Sequence, residues 1–249
     1  MLFAVATQIA GVDACKGGKW IAVIATPDSF DKAEVTIFKT AAALISEVAP
    51  RSLITIDVPI GLPERAISGG RECDWAARAF LGPRRTSVFL VPSRQAVYAH
   101  AQGYAQVCAA ARTTSVPPRA VSKQLFGILP RIQEIDLMLR QKPMLRERAF
   151  EVHPEVSFQV MNNGKPLPPK KVKGRLSPPG TEFRKKLLAR EGFSSSFLSQ
   201  KPPRGAALDD FYDACACAWS AKRILLGSAQ VFPSHPPLDA EGLEQAIRA

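Results

Sequence analysis

Leu53-Ile54-Thr55-Ile56 is a short apolar, β-branched run that ends on an acid, Asp57, and then meets Val58-Pro59-Ile60-Gly61-Leu62-Pro63. Such a run suits a strand covered on both faces. Two prolines and a glycine in so short a span cannot continue it. A strand of this kind belongs in a layered α/β sheet, where ligands gather at strand carboxyl ends. An ionised carboxylate at the mouth of a buried strand is costly unless it is paired, solvated or bound to a metal. Taken alone, Asp57 reads equally well as a cap on the next turn. The case for chemistry rests on finding further acids at equivalent places.

The preceding sequence supplies one. Residues 8–13 read as a first strand that also ends on an acid, Asp13. Ala14-Cys15-Lys16-Gly17-Gly18 is a glycine-bearing turn, and residues 19–25 form a second strand, which together signal a hairpin. Residues 34–38 are a third strand. Thr40 N-caps a helix through Val48, ahead of Pro50. With the 53–57 strand this is an α/β beginning.

After Pro63 the pattern turns helical. Residues 71–81 read as a helix stopped by Gly82-Pro83, Ser93 opens a helix through Ala111, and Ser122 opens another to about Leu139. In the last, Ile128, Leu129, Ile132, Ile135 and Leu139 make an apolar stripe, and Pro130 should kink it. Residues 64–146 are therefore expected to be a helical insertion packed beside the sheet of a single domain, 1–249. Residues 149–155 read as a fifth strand stopped by proline. Residues 165–180 read as a mobile loop whose Lys170, Lys171, Lys173 and Arg175 form a basic cluster; a solvated charge run is its ordinary reading. A short helix over 181–190 and a long one over 208–226, C-capped by Gly227, complete the body. The tail from Pro233 is expected to hold one short amphipathic helix.

A chain of 249 residues, 46% hydrophobic, suits one large domain. Its net charge of +11 favours polyanions such as nucleic acid, nucleotides or phosphorylated substrates. The five cysteines (Cys15, Cys73, Cys108, Cys215 and Cys217) are odd in number and form no CxxC pair. That argues against a disulfide framework or a zinc site and fits a reducing cytoplasm. The apolar N-terminus lacks a basic segment and runs directly into Asp13, so neither a signal peptide nor a membrane span is expected.

The long helix near the C-terminus adds two acids. Asp210 and Asp213 lie three apart, on one face. Small neighbours, Ala214, Cys217 and Ala221, let that side approach a sheet closely. The helix dipole accounts for acids in a first turn, and Asp209 can serve that purpose alone, as the N-cap. It accounts less well for Asp213, a full turn in. Clustered carboxylates repel unless cations neutralise them, and Mg²⁺ and Mn²⁺ prefer such oxygen ligands. Two ions about 4 Å apart can activate water and stabilise the leaving oxygen of a phosphodiester.

This arrangement resembles the ribonuclease H-like superfamily, and the last pair is most similar to its Holliday-junction resolvases. GVDACKGGKW, DVPIGLPE, RECDWAARAFLGPRRTSVF, SKQLFGILPRIQEID, EVHPEVSF and LDDFYDACACAW also occur in order. In that the chain resembles a bacterial and archaeal family of predicted RNase H-like nucleases, domain of unknown function family 429. The motifs span residues 11–219. The resemblance implies a mixed five-stranded sheet flanked by helices and a Mg²⁺- or Mn²⁺-dependent nuclease. It implies Asp13, Asp57, Asp210 and Asp213 as the catalytic, metal-binding acids. It also implies that Arg84, Arg85, Ser87, Glu134, Glu151, His153 and Glu155 face the same cleft. Glu151 and His153 join the catalytic set, and Arg84, Arg85, Ser87, Lys171 and Arg175 are expected to bind nucleic acid. Ala14 replaces the family's common glycine and Val58 a commoner isoleucine; neither touches an expected ligand.

His153 reads, by itself, as a buried histidine satisfied by backbone at a strand end. Its place between Glu151 and Glu155 gives it a cleft role, since neighbouring carboxylates favour imidazolium. Two other readings stay open. One is an ATP-dependent phosphotransferase of the sugar-kinase and actin superfamily, although no second glycine-rich phosphate hairpin is present. The other is a non-catalytic nucleic-acid-binding module.

Overall fold

The computed structural model describes residues 6–48 and 50–249. Part of the apolar N-terminus, on which the expectation about a signal segment rests, lies outside the described residues.

β1 (Ile9–Cys15) and β2 (Lys19–Ala25) form an antiparallel hairpin. Its turn places Gly17 and Gly18 at φ +76° and +71°, a left-handed conformation that favours glycine. β3 (Glu34–Phe38) adds antiparallel to β2. α1 (Ala41–Glu47) starts where the Thr40 hydroxyl accepts from Ala43 N–H at 3.1 Å. β4 (Leu53–Ile56), buried along its whole length, then lies parallel to β1.

β5 (Ala66–Ile67) follows and pairs in parallel with β6 (Ser115–Val116), which closes a helical stretch. Within that stretch lie α2 (Glu72–Leu81), a 3₁₀ turn over Gly82–Ser87, α3 (Arg94–Tyr98) and α4 (Tyr104–Thr113). α5 (Lys123–Gln141) and α6 (Pro143–Arg146) come next. β7 (Ala149–Glu151) returns to the sheet parallel to β4. The sheet is thus mixed and five-stranded, in the order β3-β2-β1-β4-β7.

The remaining elements are α7 (Pro154–Met161), the hairpin of β8 (Lys171–Val172) and β9 (Arg175–Leu176), and α8 (Pro178–Arg190). After them come α9 (Ser195–Ser199), α10 (Leu208–Leu225) and the antiparallel pair β10 (Val231–Phe232) and β11 (Ile247–Arg248).

Alternating residues of the strands feed two cores, as the two-residue strand period requires. Ala10, Val12, Trp20, Ala22, Ile54 and Ile56 pack with Leu44 of α1 and Leu129, Ile132 and Ile135 of α5. Ile9, Ile21, Val23 and Leu53 pack with Phe158 of α7, Leu188 of α8 and Phe211 and Ala218 of α10. Of the helices between β4 and β7, α3 to α6 contribute to the first of these cores, whereas Cys73, Ala77 and Leu81 of α2 pack with Val156 of α7 and Ile247 of β11.

α10 lies unusually close to β1. A Cβ at Gly11 would stand 1.9 Å from Ala218 N and 2.3 Å from Ala214 O, so only glycine fits. Thr55 on β4 reinforces the contact by donating its hydroxyl to Cys217 O at 2.7 Å. The small residues Ala214, Cys217 and Ala221 read from the sequence are all buried here.

Several local expectations differ from the structure. The helix expected over 93–111 is two helices, broken at Gly103 with φ +107°. The strand expected over 149–155 stops at Glu151, because Pro154 opens α7 at a first helical position that needs no N–H. The loop expected over 165–180 holds the β8–β9 hairpin, and α8 begins early at Pro178, capped by Ser177. Pro130 is accommodated inside α5, which runs on to Gln141. The tail from Pro233 holds no helix; its β11 pairs with β10, which lies just before it. All five cysteines are free and buried. Among the described residues no helix is long and apolar enough to cross a membrane.

Candidate functional site

A cleft of about 300 Å³ opens at the carboxyl ends of β1 and β4. Asp13 comes from β1, and Asp57 follows β4, its N–H donating to Val12 O at 2.9 Å. Asp210 and Asp213 descend from the first two turns of α10, held there by the close approach at Gly11. All four line the cleft, together with Asp209, Glu151, His153, Ser87, Lys170 and Lys171. A larger cavity of about 700 Å³ lies by Leu53, at the opposite end of β4, and contains none of these groups.

The acids are crowded and poorly solvated. Burial, then the charges of Asp57 and Asp213, holds the Asp13 carboxyl well above its ordinary range, against the pull of Lys170. Burial pushes Asp57 up to about 6; His153 opposes the shift and Asp213 adds to it. Burial also raises Asp213, with Lys170 opposing, and Asp210, with the Ala207 N–H opposing. Asp209 moves the other way. Burial would raise it, but Lys170 and Lys171 together outweigh that and lower it.

Most of the carboxylates are already engaged. Asp13 Oδ1 accepts from Ala14 N–H at 2.7 Å, and Asp210 Oδ2 from Ala207 N–H at 2.8 Å. Asp213 Oδ2 takes the Lys170 ammonium. Lys170 Nζ also lies 3.4 Å from Asp209 Oδ2, and Lys171 Nζ lies 2.8 Å from the same oxygen. Among the described residues no three His, Cys, Asp or Glu side chains stand grouped to hold a metal ion.

Glu151, at the end of β7, is not a free base. Arg71 grips it at 2.7 and 2.8 Å, and it accepts from Ile60 N–H at 2.7 Å. Arg71, 4% exposed, also donates to Asp74 and to the carbonyls of Ile60 and Gly61. This buried knot fixes the turn that follows Asp57. His153 N-caps α7 with its Nε2 at 3.1 Å from Ser87 O; its buried Nδ1 has no hydrogen-bond partner among the described residues.

The other expected residues separate from the cleft. Arg84 and the buried Arg184 clamp Glu155 at 2.9 and 2.7 Å. Arg85 lines a different surface depression with Trp75 and Arg78. Glu134 accepts from Trp20 Nε1 at 3.1 Å and from Ala41 N–H at 2.6 Å, so it caps α1. Arg175 sits in β9 and is not among the cleft's lining residues. Conversely, sequence reasoning missed Arg71, Asp74, Gln124 and Arg131, which do line it. Nothing local distinguishes Arg71 from a surface arginine. Gln124 and Arg131 share a side of α5 at helical spacing, a signal visible only once Asp13 is known to lie opposite.

No curated protein and no solved structure matches this chain significantly. The family model for "Protein of unknown function (DUF429)" matches residues 11–238, a span that takes in β1 from Gly11 on, β4, α10 and every acid of the cleft, and the chain belongs to that family.

Proposed function

We propose that this protein is a divalent-metal-dependent phosphodiesterase acting on nucleic acid, built on an RNase H-like sheet. One observation carries the reading: Asp13, Asp57, Asp210 and Asp213, from three distant stretches of sequence, line one cleft at the strand carboxyl ends. The mixed sheet order β3-β2-β1-β4-β7 with α10 laid across β1 supports the fold assignment.

The donor set fits Mg²⁺ or Mn²⁺, because it consists of carboxylate oxygens without cysteine, and those oxygens bind protons more tightly than ordinary aspartates do. Asp13, Asp57, Asp210 and Asp213 would hold the ions. When bound, such ions activate water and stabilise charge on a phosphodiester. The chain's own residues do the rest. The Arg71–Glu151 knot holds the turn beyond Asp57 in place. His153, with Nε2 tied to Ser87 O, keeps its ring fixed in the cleft wall beside Asp57. Lys171 and Arg131 put positive charge beside the acids for a polyanionic backbone.

A second reading is favoured by one specific observation: an ammonium group already sits on Asp213. A cation supplied by the chain suits a non-catalytic nucleic-acid-binding module. Cleavage of labelled DNA and RNA in Mg²⁺ and Mn²⁺, by wild type and Asp13→Asn, separates the two. Metal-dependent cleavage lost in the variant supports the nuclease. Binding that is indifferent to metal, with no cleavage of any substrate, supports the module.

A further inference from the structure

We infer that the Lys170 ammonium is the acid cluster's own counter-ion, and that a divalent ion enters by displacing it. The inference rests on the metal-dependent reading above. Six aspartates line the cleft; Asp74 is held by Arg71, and of the other five (Asp13, Asp57, Asp209, Asp210 and Asp213) two, Asp209 and Asp213, are contacted by the ammonium groups of Lys170 and Lys171. The two ammonium groups differ in place. Lys171 is half exposed and touches Asp209 only. Lys170 is 23% exposed along its side chain and reaches both Asp213 and Asp209. Asp213 is one of the residues that would hold a metal, so an ammonium seated on its Oδ2 would compete with a divalent ion for that carboxylate.

The backbone makes this exchange local. Lys170 O accepts from Ser177 N–H at 2.9 Å. The neighbouring Pro169 carbonyl is packed onto Gly180, where a Cβ would meet it at 2.1 Å. The main chain on either side of Lys170 is thus pinned to the start of α8. Only the flexible four-carbon stem has to swing for the ammonium to leave. Asp209 keeps its partner throughout, because Lys171 stays on it. Once displaced, the Lys170 charge is tethered beside the metal, where a phosphate group would complete its solvation. Lys170 thereby links metal entry to the binding of an anionic substrate.

The test is Mn²⁺ titration followed by electron paramagnetic resonance, without substrate, on wild type, Lys170→Met, Lys170→Arg and Lys171→Met. Removing one competing charge at contact distance should tighten Mn²⁺ binding by at least about tenfold in Lys170→Met. Lys170→Arg, which keeps the charge, should bind Mn²⁺ as wild type does. Lys171→Met should change the affinity much less. Mn²⁺ binding to wild type that is equal or weaker in Lys170→Met overturns the counter-ion role and leaves the metal reading intact. No Mn²⁺ binding to any of the four proteins overturns the metal reading, and this inference with it. Should Lys170→Met fail to fold, wild type still answers through the lysine ammonium NMR signal. At saturating Mg²⁺ the Lys170 signal should move to that of a solvated lysine. A Lys170 signal unchanged by bound Mg²⁺ counts against displacement.

Discussion

Asp57→Asn should stabilise the metal-free protein, and by more as the pH rises. Asp57 is poorly solvated and faces Asp213 and Glu151, with His153 and Lys170 as the nearby positive groups. Its carboxyl is pushed up to about 6 from an ordinary 3.8. A group whose folded-state value is raised binds more protons folded than unfolded. Stability is then greatest below the unfolded value and falls as the pH climbs through the folded one. At 1.36 kcal/mol per unit, ionising Asp57 in the folded protein costs roughly 2–3 kcal/mol at pH 8. About half of that is already lost by pH 5, midway through the window. Asparagine keeps the shape and removes the charge. Its advantage should therefore grow by about 1–1.5 kcal/mol between pH 5 and pH 8 and level off beyond. For a chain of this size the full effect is a melting-temperature rise of about 5–10 °C at pH 8. Thermal melts in chelator, from pH 5 to pH 8.5, measure it. An advantage that shrinks with pH, or a variant less stable than wild type at pH 8, would refute the view that this carboxylate is held against its own electrostatics.

Arg71→Met should destabilise by about 3–5 kcal/mol in urea unfolding, because it strands Glu151 and Asp74 as buried charges; a loss under 1 kcal/mol would show the knot to be dispensable. Gly11→Ala should cost about 1–3 kcal/mol or more, since its methyl group meets the α10 backbone. The displaced helix carries Asp210 and Asp213, so Mn²⁺ affinity should fall as well, and an unchanged melt and affinity would contradict the packing. Thr40→Ala should cost about 1 kcal/mol through loss of the α1 cap, with no change in Mn²⁺ affinity, read by melting and titration.

The sequence alone determined what depends on short spans. The 19–25 and 34–38 strands and the Thr40 cap stand where periodicity and capping chemistry put them, because each obeys a rule confined to a few neighbours. The same locality explains the differences at Gly103 and Pro154. A glycine or proline within a periodic run can either interrupt it or begin the next element, and packing chooses between them. The acids were legible one by one, as carboxylates ending strands or sharing a helix face. Their meeting in one cleft was legible only through the resemblance that ordered the motifs. Tertiary structure alone decided which charges pair. Glu155 goes to Arg84 and Arg184, Glu134 to the α1 N-terminus, Glu151 to Arg71, and Asp213 to Lys170. Coulomb energy between two side chains depends on their separation in space and the water between them. For residues 80 positions apart, such as Arg71 and Glu151, no local pattern in the sequence encodes either quantity.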